Sequence, residues 1–287
     1  MHQVHAPFMQ NHPEKFLVMS NEGAELVKYG ANGLLATKIT FMNELAILAE
    51  MAGADINPIR RGIGMDTRIG EDFLYPGPGT RGPCFQKAVD SLVAQGRAHG
   101  VDLSIMAAVA QRNRRQMYIG ANKVIAHHGA YRGSLIGRRV GLWGVAFKKD
   151  VADTRTSSSI ETAQRLLEWG AEEVPYFDWV PAAGENFMAE LKYRNIPTER
   201  VRLCRSIAEA ADCDDIVLLN DSRQFKTVHP SESIPAARKG IFADTRNILT
   251  TEQIDGLQQR GWVYTGNGRY GLPQPAAKRY LELAENT

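Results

Sequence analysis

The residue whose chemistry stands out is Cys84, in the stretch Gly77-Pro78-Gly79-Thr80-Arg81-Gly82-Pro83-Cys84-Phe85-Gln86-Lys87. Three glycines and two prolines within seven residues exclude a helix or a central strand, so the backbone before the cysteine is a shaped loop. The loop ends where a helical pattern begins, at Phe85, Val89, Leu92 and Val93. The positive end of a helix dipole, with Lys87 close by, favours the thiolate, which is the nucleophilic form of cysteine. The plain alternative is a small apolar residue at a loop–helix corner, since free cysteines are often buried. A second group of candidates comprises Phe147-Lys148-Lys149, Asp178, Asn220-Asp221 and Asp244-Thr245-Arg246, each at the end of an apolar run. If those runs are parallel strands, these residues collect at the carboxyl edge of the sheet, where such sheets bind ligands.

The elements that must position these groups change character along the chain. Phe16–Met19 reads as a short strand without a partner of its own. From Asn21, capped by itself or by Ser20, helical spacing runs almost to Gly53 through Leu26, Tyr29, Leu34, Ile39, Met42 and Leu45. A short helix over 54–64, another from Asp66 into the Cys84 loop, and helices near 85–98 and 102–127 complete an all-helical region. After a linker near His127-His128-Gly129, the pattern alternates between strands and helices. Strands are expected at 139–145, 174–177, 201–203, 216–219, 240–244 and 262–264, with helices at 158–169, 183–192, 207–211 and 251–260. That alternation predicts an α/β chain whose helical unit precedes a doubly wound parallel, Rossmann-like sheet. The expected division is a short lead (1–20), a helical domain (21–128) and a sheet domain (129–287). The sheet region is read as lacking the Gly-x-Gly-x-x-Gly fingerprint, its first strand holding Gly141 and Gly144 within the strand rather than in the turn, so a mononucleotide held by Lys148 and Arg246 is favoured over a dinucleotide.

Composition narrows the classes. An apolar fraction of 44% and a charged fraction of 23% are those of a globular protein, and a length of 287 suggests two domains. A net charge of +2 argues against bulk attraction to nucleic acid or an anionic membrane, and no apolar run reaches membrane-spanning length. Cys84, Cys204 and Cys213 are widely spaced and describe neither a disulfide framework nor a metal site, which points to a reducing, cytoplasmic setting.

Four segments in order resemble the UDP-glucose/GDP-mannose dehydrogenase family. They are Ala24–Asn32 with Ala36–Ile39 and Asn43-Glu44, then Gly62–Gly70 with Phe73-Leu74, then the Cys84 loop. The last comprises Gly144–Lys148, Asp153-Thr154-Arg155 and Asp244–Leu249. The resemblance implies NAD-dependent oxidation of a nucleotide sugar's C6 alcohol to a carboxylate, through a cysteine thiohemiacetal and thioester. It assigns the nucleophile to Cys84 and stabilisation of the C6 oxygen to Lys28 and Asn32, one helical turn apart. It assigns substrate contacts to Arg68, Phe73, Gly79, Phe147, Lys148 and Arg246, Arg68 acting across a dimer interface, and places Arg155 near the cofactor. It also implies a UDP-sugar ligand and a homodimer built on the helix 22–52.

Departures from the family pattern set further expectations. The family's N-terminal NAD-binding domain is expected to be absent from this chain, Phe16–Met19 resembling its last strand, with a separate NAD-binding chain as a further partner. Ala88 replaces the family's aspartate after Cys-Phe-Gln-Lys, with Asp90 turned too far around the helix to substitute, and Arg81 adds bulk before the thiol. The chain on its own is therefore expected to be inactive. A non-catalytic nucleotide-sugar-binding homologue and other thiol chemistry at Cys84 stand as alternatives.

Overall fold

A computed structural model describes residues 2–8, 12, 14, 16–80 and 82–285. The elements in order are α1 (His2–His5), a 3-10 turn (Ala6–Phe8), α2 (Asn21–Ala52), α3 (Ile56–Gly64), α4 (Pro83–Ala98), α5 (Ser104–Gln116) and α6 (Ile119–His128). Then follow β1 (Val140–Trp143), α7 (Ser158–Glu168), β2 (Val174–Phe177), α8 (Pro181–Tyr193), β3 (Val201–Leu203), α9 (Ile207–Ala211) and β4 (Asp215–Leu218). The chain finishes with α10 (Arg223–Thr227), α11 (Pro230–Ser233), β5 (Ile241–Asp244), α12 (Thr251–Gln259), β6 (Val263–Thr265) and α13 (Ala276–Glu285).

The long helix α2 starts where Ser20 Oγ accepts the Gly23 N–H at 3.1 Å and stops at Gly53, whose left-handed φ of 70° ends the hydrogen-bond ladder. Its inner face carries Ala36 against Val89 of α4 and Val109 and Ala110 of α5. Further along, Met42, Ala46 and Ala49 enclose Ile56 and Leu74. The small residues at 36, 46 and 49 let neighbouring backbones approach closely, which suits one helix serving as the spine for several others.

The six strands form one parallel sheet in the order β3-β2-β1-β4-β5-β6. The order reverses between β1 and β4, the point at which a doubly wound sheet opens a crevice. Both faces are covered, as a parallel sheet requires. Leu142, Val217 and Ala243 point into one apolar layer with α7, α8 and α13, and Trp143, Leu218 and Phe242 point into the other. Burial on both faces is why the central strands read as nearly continuous apolar runs, whereas the edge strand β3 carries Arg202 between Val201 and an exposed Leu203.

A buried ion pair ties the helical region to the sheet. Lys123 of α6 lies 2.8 Å from both carboxylate oxygens of Glu50 of α2, with side chains 1% and 0% exposed. Lys123 also donates to Thr265 Oγ1 at 3.1 Å, and Glu50 accepts the Gly268 N–H at 2.7 Å. The Tyr280 ring of α13 covers the ammonium at 4.9 Å. With every partner in place the pair is satisfied; removal of one member typically costs about 3–5 kcal/mol.

Four expectations are corrected. Phe16–Met19 forms no strand, and Leu17 and Val18 are exposed. The residues after Asp66 form turns rather than a helix. The Asp66 carboxylate accepts the Arg68 N–H at 3.0 Å, an alternative to helical bonding, and Gly70 closes the turn at φ 69°. The single helix expected at 102–127 is two, broken at Met117-Tyr118. Residues 119–126 are buried all round, because α6 packs at once on β4, β5, α7 and α13, and one straight helix could not serve both neighbours. Finally, the Gly-x-Gly-x-x-Gly spacing does occur in the sheet region, at Gly266, Gly268 and Gly271 after β6, but there it packs against Ala46, Ile56 and Glu50.

Candidate functional site

The Cys84 loop is held by three side chains from two helices. Asn43 of α2 accepts the Gly77 N–H at 2.8 Å, and Gln116 of α5 donates to the Gly77 carbonyl at 2.9 Å. Asn113 of α5 accepts the Thr80 N–H at 2.6 Å and donates to the Thr80 carbonyl at 3.3 Å. All three side chains are buried, so the loop's polar backbone is satisfied inside the protein rather than by water. Gly82 ends the loop at φ 92°, in a region L-residues avoid, and a Cβ there would stand 2.9 Å from the Phe147 ring. Pro83 then begins α4, with Cys84 exposed in its first turn.

The loop faces the carboxyl edge of the sheet. Gly77 leaves room for Arg246, whose Nη1 would lie 2.5 Å from a Cβ at that position. Asp244 governs the placement of Arg246. Its carboxylate, 0% exposed at the end of β5, accepts the N–H groups of Arg246, Ile248 and Leu249 at 3.0, 2.8 and 3.0 Å and the Tyr264 hydroxyl at 3.1 Å. Burial pushes the Asp244 carboxyl up, against the pull of these hydrogen bonds. Arg246 then reaches toward Asp221 at 3.5 Å, leaving Nε without a protein partner.

These elements enclose a cavity of about 530 Å³ lined by Phe73, Tyr75, Cys84, Phe147, Lys148 and Arg246, with Gly79, Thr80, Ile39 and Asp72 completing the wall. Six of the sequence-assigned residues therefore meet in one place: Cys84, Phe73, Gly79, Phe147, Lys148 and Arg246. The combination of aromatic rings, two cations and a thiol suits a ligand with a base, phosphates and an electrophilic carbon. Asp72 and Tyr75 were not singled out from sequence, although they flank Phe73.

Four assigned residues stand outside that cavity. Lys28 is exposed and Asn32 half-buried on the α2 face that continues to Ala36, upstream of Ile39. Arg68 folds back on Asp66, with Nε–Oδ1 3.0 Å and Nη2–Oδ2 2.6 Å. Arg155 folds back on Asp153 in the same way and lines a different cavity with Asn186, Glu190 and Tyr193. Ala88 is buried in the helical core, and Asp90 binds Gln86 Nε2 at 2.7 Å and approaches Arg114 at 3.4 Å. Arg81 lies outside the described residues.

The turn after β1 does not fit the pyrophosphate of a dinucleotide. The Val145 and Ala146 N–H groups, which would face such an anion, donate to Asp178 Oδ2 at 2.8 and 3.0 Å. Asp178 is fixed there by Asn220 Nδ2 at 3.1 Å. Burial raises the Asp178 carboxyl, while these donors pull it back. The glycine-spaced loop after β6 is filled likewise, by Glu50 on the Gly268 N–H.

A helical unit thus presents a thiol loop to the switch point of a doubly wound sheet, the crevice in which sheets of this class bind ligands. The models of the UDP-glucose/GDP-mannose dehydrogenase family match this chain twice, the central domain over residues 22–115 and the UDP-binding domain over residues 141–251. The chain is 36% identical over 270 residues to a UDP-glucose 6-dehydrogenase of Pseudomonas aeruginosa, covering 94% of this chain and 57% of that protein. It is 33% identical over 254 residues to one of Rickettsia prowazekii, covering 88% and 56%. The solved UDP-glucose dehydrogenase of the hyperthermophilic archaeon Pyrobaculum islandicum superposes with a TM-score of 0.72 at 28% identity, over 93% of this chain and 57% of that one. The chain belongs to the UDP-glucose/GDP-mannose dehydrogenase family, and it spans little more than half the length of the relatives it matches.

Proposed function

We propose that this chain carries the UDP-sugar-binding and thiol-bearing parts of a UDP-sugar 6-dehydrogenase, divided between a helical domain (21–128) and a UDP-binding domain (129–287). The observation that carries the reading is the meeting of Cys84 with Phe147, Lys148 and Arg246 in one cavity. Lys148 and Arg246 neutralise the diphosphate, and the aromatic wall receives the apolar faces of base and sugar. The Cys84 thiolate attacks the C6 aldehyde carbon, forming a C–S bond. The carbonyl π pair moves to oxygen, which then takes a proton from solvent. The family resemblance gives the support of that oxygen to Lys28 and Asn32, which stand outside this cavity, so no contact with it is assigned to them here; Arg68 is proposed to complete the site from a second copy. NAD is the family's hydride acceptor, and because the β1 turn is already filled by Asp178, no hydride step is assigned to residues of this chain; Arg155 at the second cavity is the residue proposed to approach the cofactor.

The second copy docks on α2. Val27, Leu34, Phe41 and Leu48 recur every seven residues on this 32-residue helix and are 59%, 64%, 51% and 63% exposed. That spacing returns to nearly the same side of the helix and forms an apolar stripe long enough for a paired helix. Three unbridged cysteines agree with a reducing, cytoplasmic setting, and no helix among the described residues is long and apolar enough to cross a membrane.

Titration calorimetry of the purified chain tests the reading. UDP and UDP-glucose are expected to bind, with UDP-glucose protecting Cys84 from alkylation. No heat at about 1 mM UDP, where even a weak specific site is occupied, would refute it. With UDP-glucose and NAD the chain alone is expected to give no NADH, and an added NAD-binding chain is expected to restore turnover. NADH formed by this chain by itself removes the inactive-alone part.

A further inference from the structure

We propose that Asn113 is a positioning residue for Cys84, its buried amide setting the loop conformation that admits the sugar half of the ligand. The inference rests on reading Cys84 as the nucleophile. Asn113 is 3% exposed and lies on α5, a helix that contributes no wall residue to the cavity. Its amide engages the chain on both sides of the thiol. Oδ1 accepts from Thr80 N at 2.6 Å, and Nδ2 donates to Thr80 O at 3.3 Å and to Gln86 Oε1 at 3.1 Å. The backbone N–H and carbonyl of Thr80 fix which way the amide points, because neither can exchange its role. The loop lies flat on this group, since a Cβ on Gly79 would come within 2.8 Å of Asn113 Oδ1.

The arrangement closes on itself. Gln86 passes its own amide to Asp90 at 2.7 Å, and Asp90 reaches Arg114, the neighbour of Asn113 on α5, at 3.4 Å. The peptide before Cys84, the first turn of α4 and α5 are thus linked in one ring of hydrogen bonds. Asn43 and Gln116 grip the loop further upstream at Gly77, beside Arg246, where the phosphates are expected. Asn113 acts nearer the thiol. Its loss should therefore affect the sugar and Cys84 more than the nucleotide.

Asn113→Asp tests this with almost no change of shape. Ionised, the carboxylate keeps the Thr80 N–H bond but turns both donations into repulsions; protonated, it restores one donor, and burial favours protonation near about pH 5. The readouts are the iodoacetamide rate at Cys84, which Cys204 and Cys213 do not confuse because both are buried, and calorimetry with UDP and with UDP-glucose. At about pH 8 the variant should alter the Cys84 rate more than about fivefold and weaken UDP-glucose more than about tenfold, with UDP within about twofold. The Cys84 rate and the UDP-glucose affinity should both return toward those of wild type as the pH is lowered to about 5. Gln86→Met, which deletes the link from Asn113 and the link to Asp90 but leaves both Thr80 bonds in place, should give a smaller change in the same direction and carries the test if Asn113→Asp does not fold. A folded Asn113→Asp protein with wild-type Cys84 reactivity and UDP-glucose affinity overturns the proposal, and so does equal loss of UDP and UDP-glucose. Failure of the wild-type chain to bind UDP-glucose would instead refute the ligand reading, while the Cys84 rate still decides the anchoring.

Discussion

Asp153-Thr154-Arg155 and Asp244-Thr245-Arg246 are the same tripeptide folded to different ends. In the first, the aspartate takes the arginine's own N–H, Nε and Nη2 at 2.9, 3.0 and 2.9 Å, and the guanidinium stays local and largely exposed. In the second, the aspartate is buried, and its oxygens are taken by three N–H groups and the Tyr264 hydroxyl. Asp244 has no acceptor left for the guanidinium, which instead reaches toward Asp221 at 3.5 Å and lines the cavity. Asp66-Thr67-Arg68 repeats the first outcome, with 3.0, 3.0 and 2.6 Å contacts. Local sequence supplies the turn; burial of the carboxylate decides whether the arginine is free to bind anything else.

The contrast is broken most severely by Asp244→Asn. The amide places donors against backbone N–H groups in a sealed site, and the unfolding free energy should fall by about 3 kcal/mol, read by urea denaturation. The two aspartates also have opposite pH signs. Burial raises the Asp244 carboxyl above its ordinary 3.8, so the folded state holds that proton more tightly than the unfolded state. The stability of wild type relative to Asp244→Asn should accordingly grow as pH falls through the window above 3.8. Its hydrogen bond to Arg155 lowers the Asp153 carboxyl, so its contribution is present above 3.8 and lost as pH falls through the lower folded value; Asp153→Asn should remove that loss.

Arg246→Ala should then weaken UDP by about 100-fold in calorimetry with little effect on melting, since a charge-assisted phosphate contact is lost from an already open cavity. Gly77→Ala places a methyl against the same guanidinium and should cost about tenfold in UDP affinity by displacing rather than deleting it. Arg155→Ala should be the mildest, leaving UDP affinity within about twofold and the melting midpoint within about 1 °C, because its ion pair is exposed. A large UDP loss in Arg155→Ala would erase the distinction between the two tripeptides.

Much of the fold was legible because a doubly wound sheet leaves plain marks: its central strands, buried on both faces, read as apolar runs, and with the short edge strand at Val201–Leu203 all six lie within a residue or two of the expected positions. The helical break at Met117-Tyr118 was not legible, because the spacing across 102–127 stays helical and only the packing of α6 on the sheet and α13 demands a turn there. The thiol loop was legible from its glycines and prolines. Asn113 and Gln116 were not, since a polar residue on a helix face gives no sign of which backbone it will hold. The arginines divide the same way: sequence motifs nominated Arg68, Arg155 and Arg246 together, and only the burial of each neighbouring aspartate separates them.

The Glu50–Gly268 contact joins positions 218 residues apart. A growing chain therefore cannot complete this junction until the sheet region has been made through β6. The Glu50–Lys123 pair of α2 and α6 gains its Thr265 and Gly268 partners only from the far end of the sheet region. Such late, long-range closure slows folding. It also makes the loop after β6 the clasp between the α2 spine and the far edge of the sheet, remote from the Cys84 cavity it does not line.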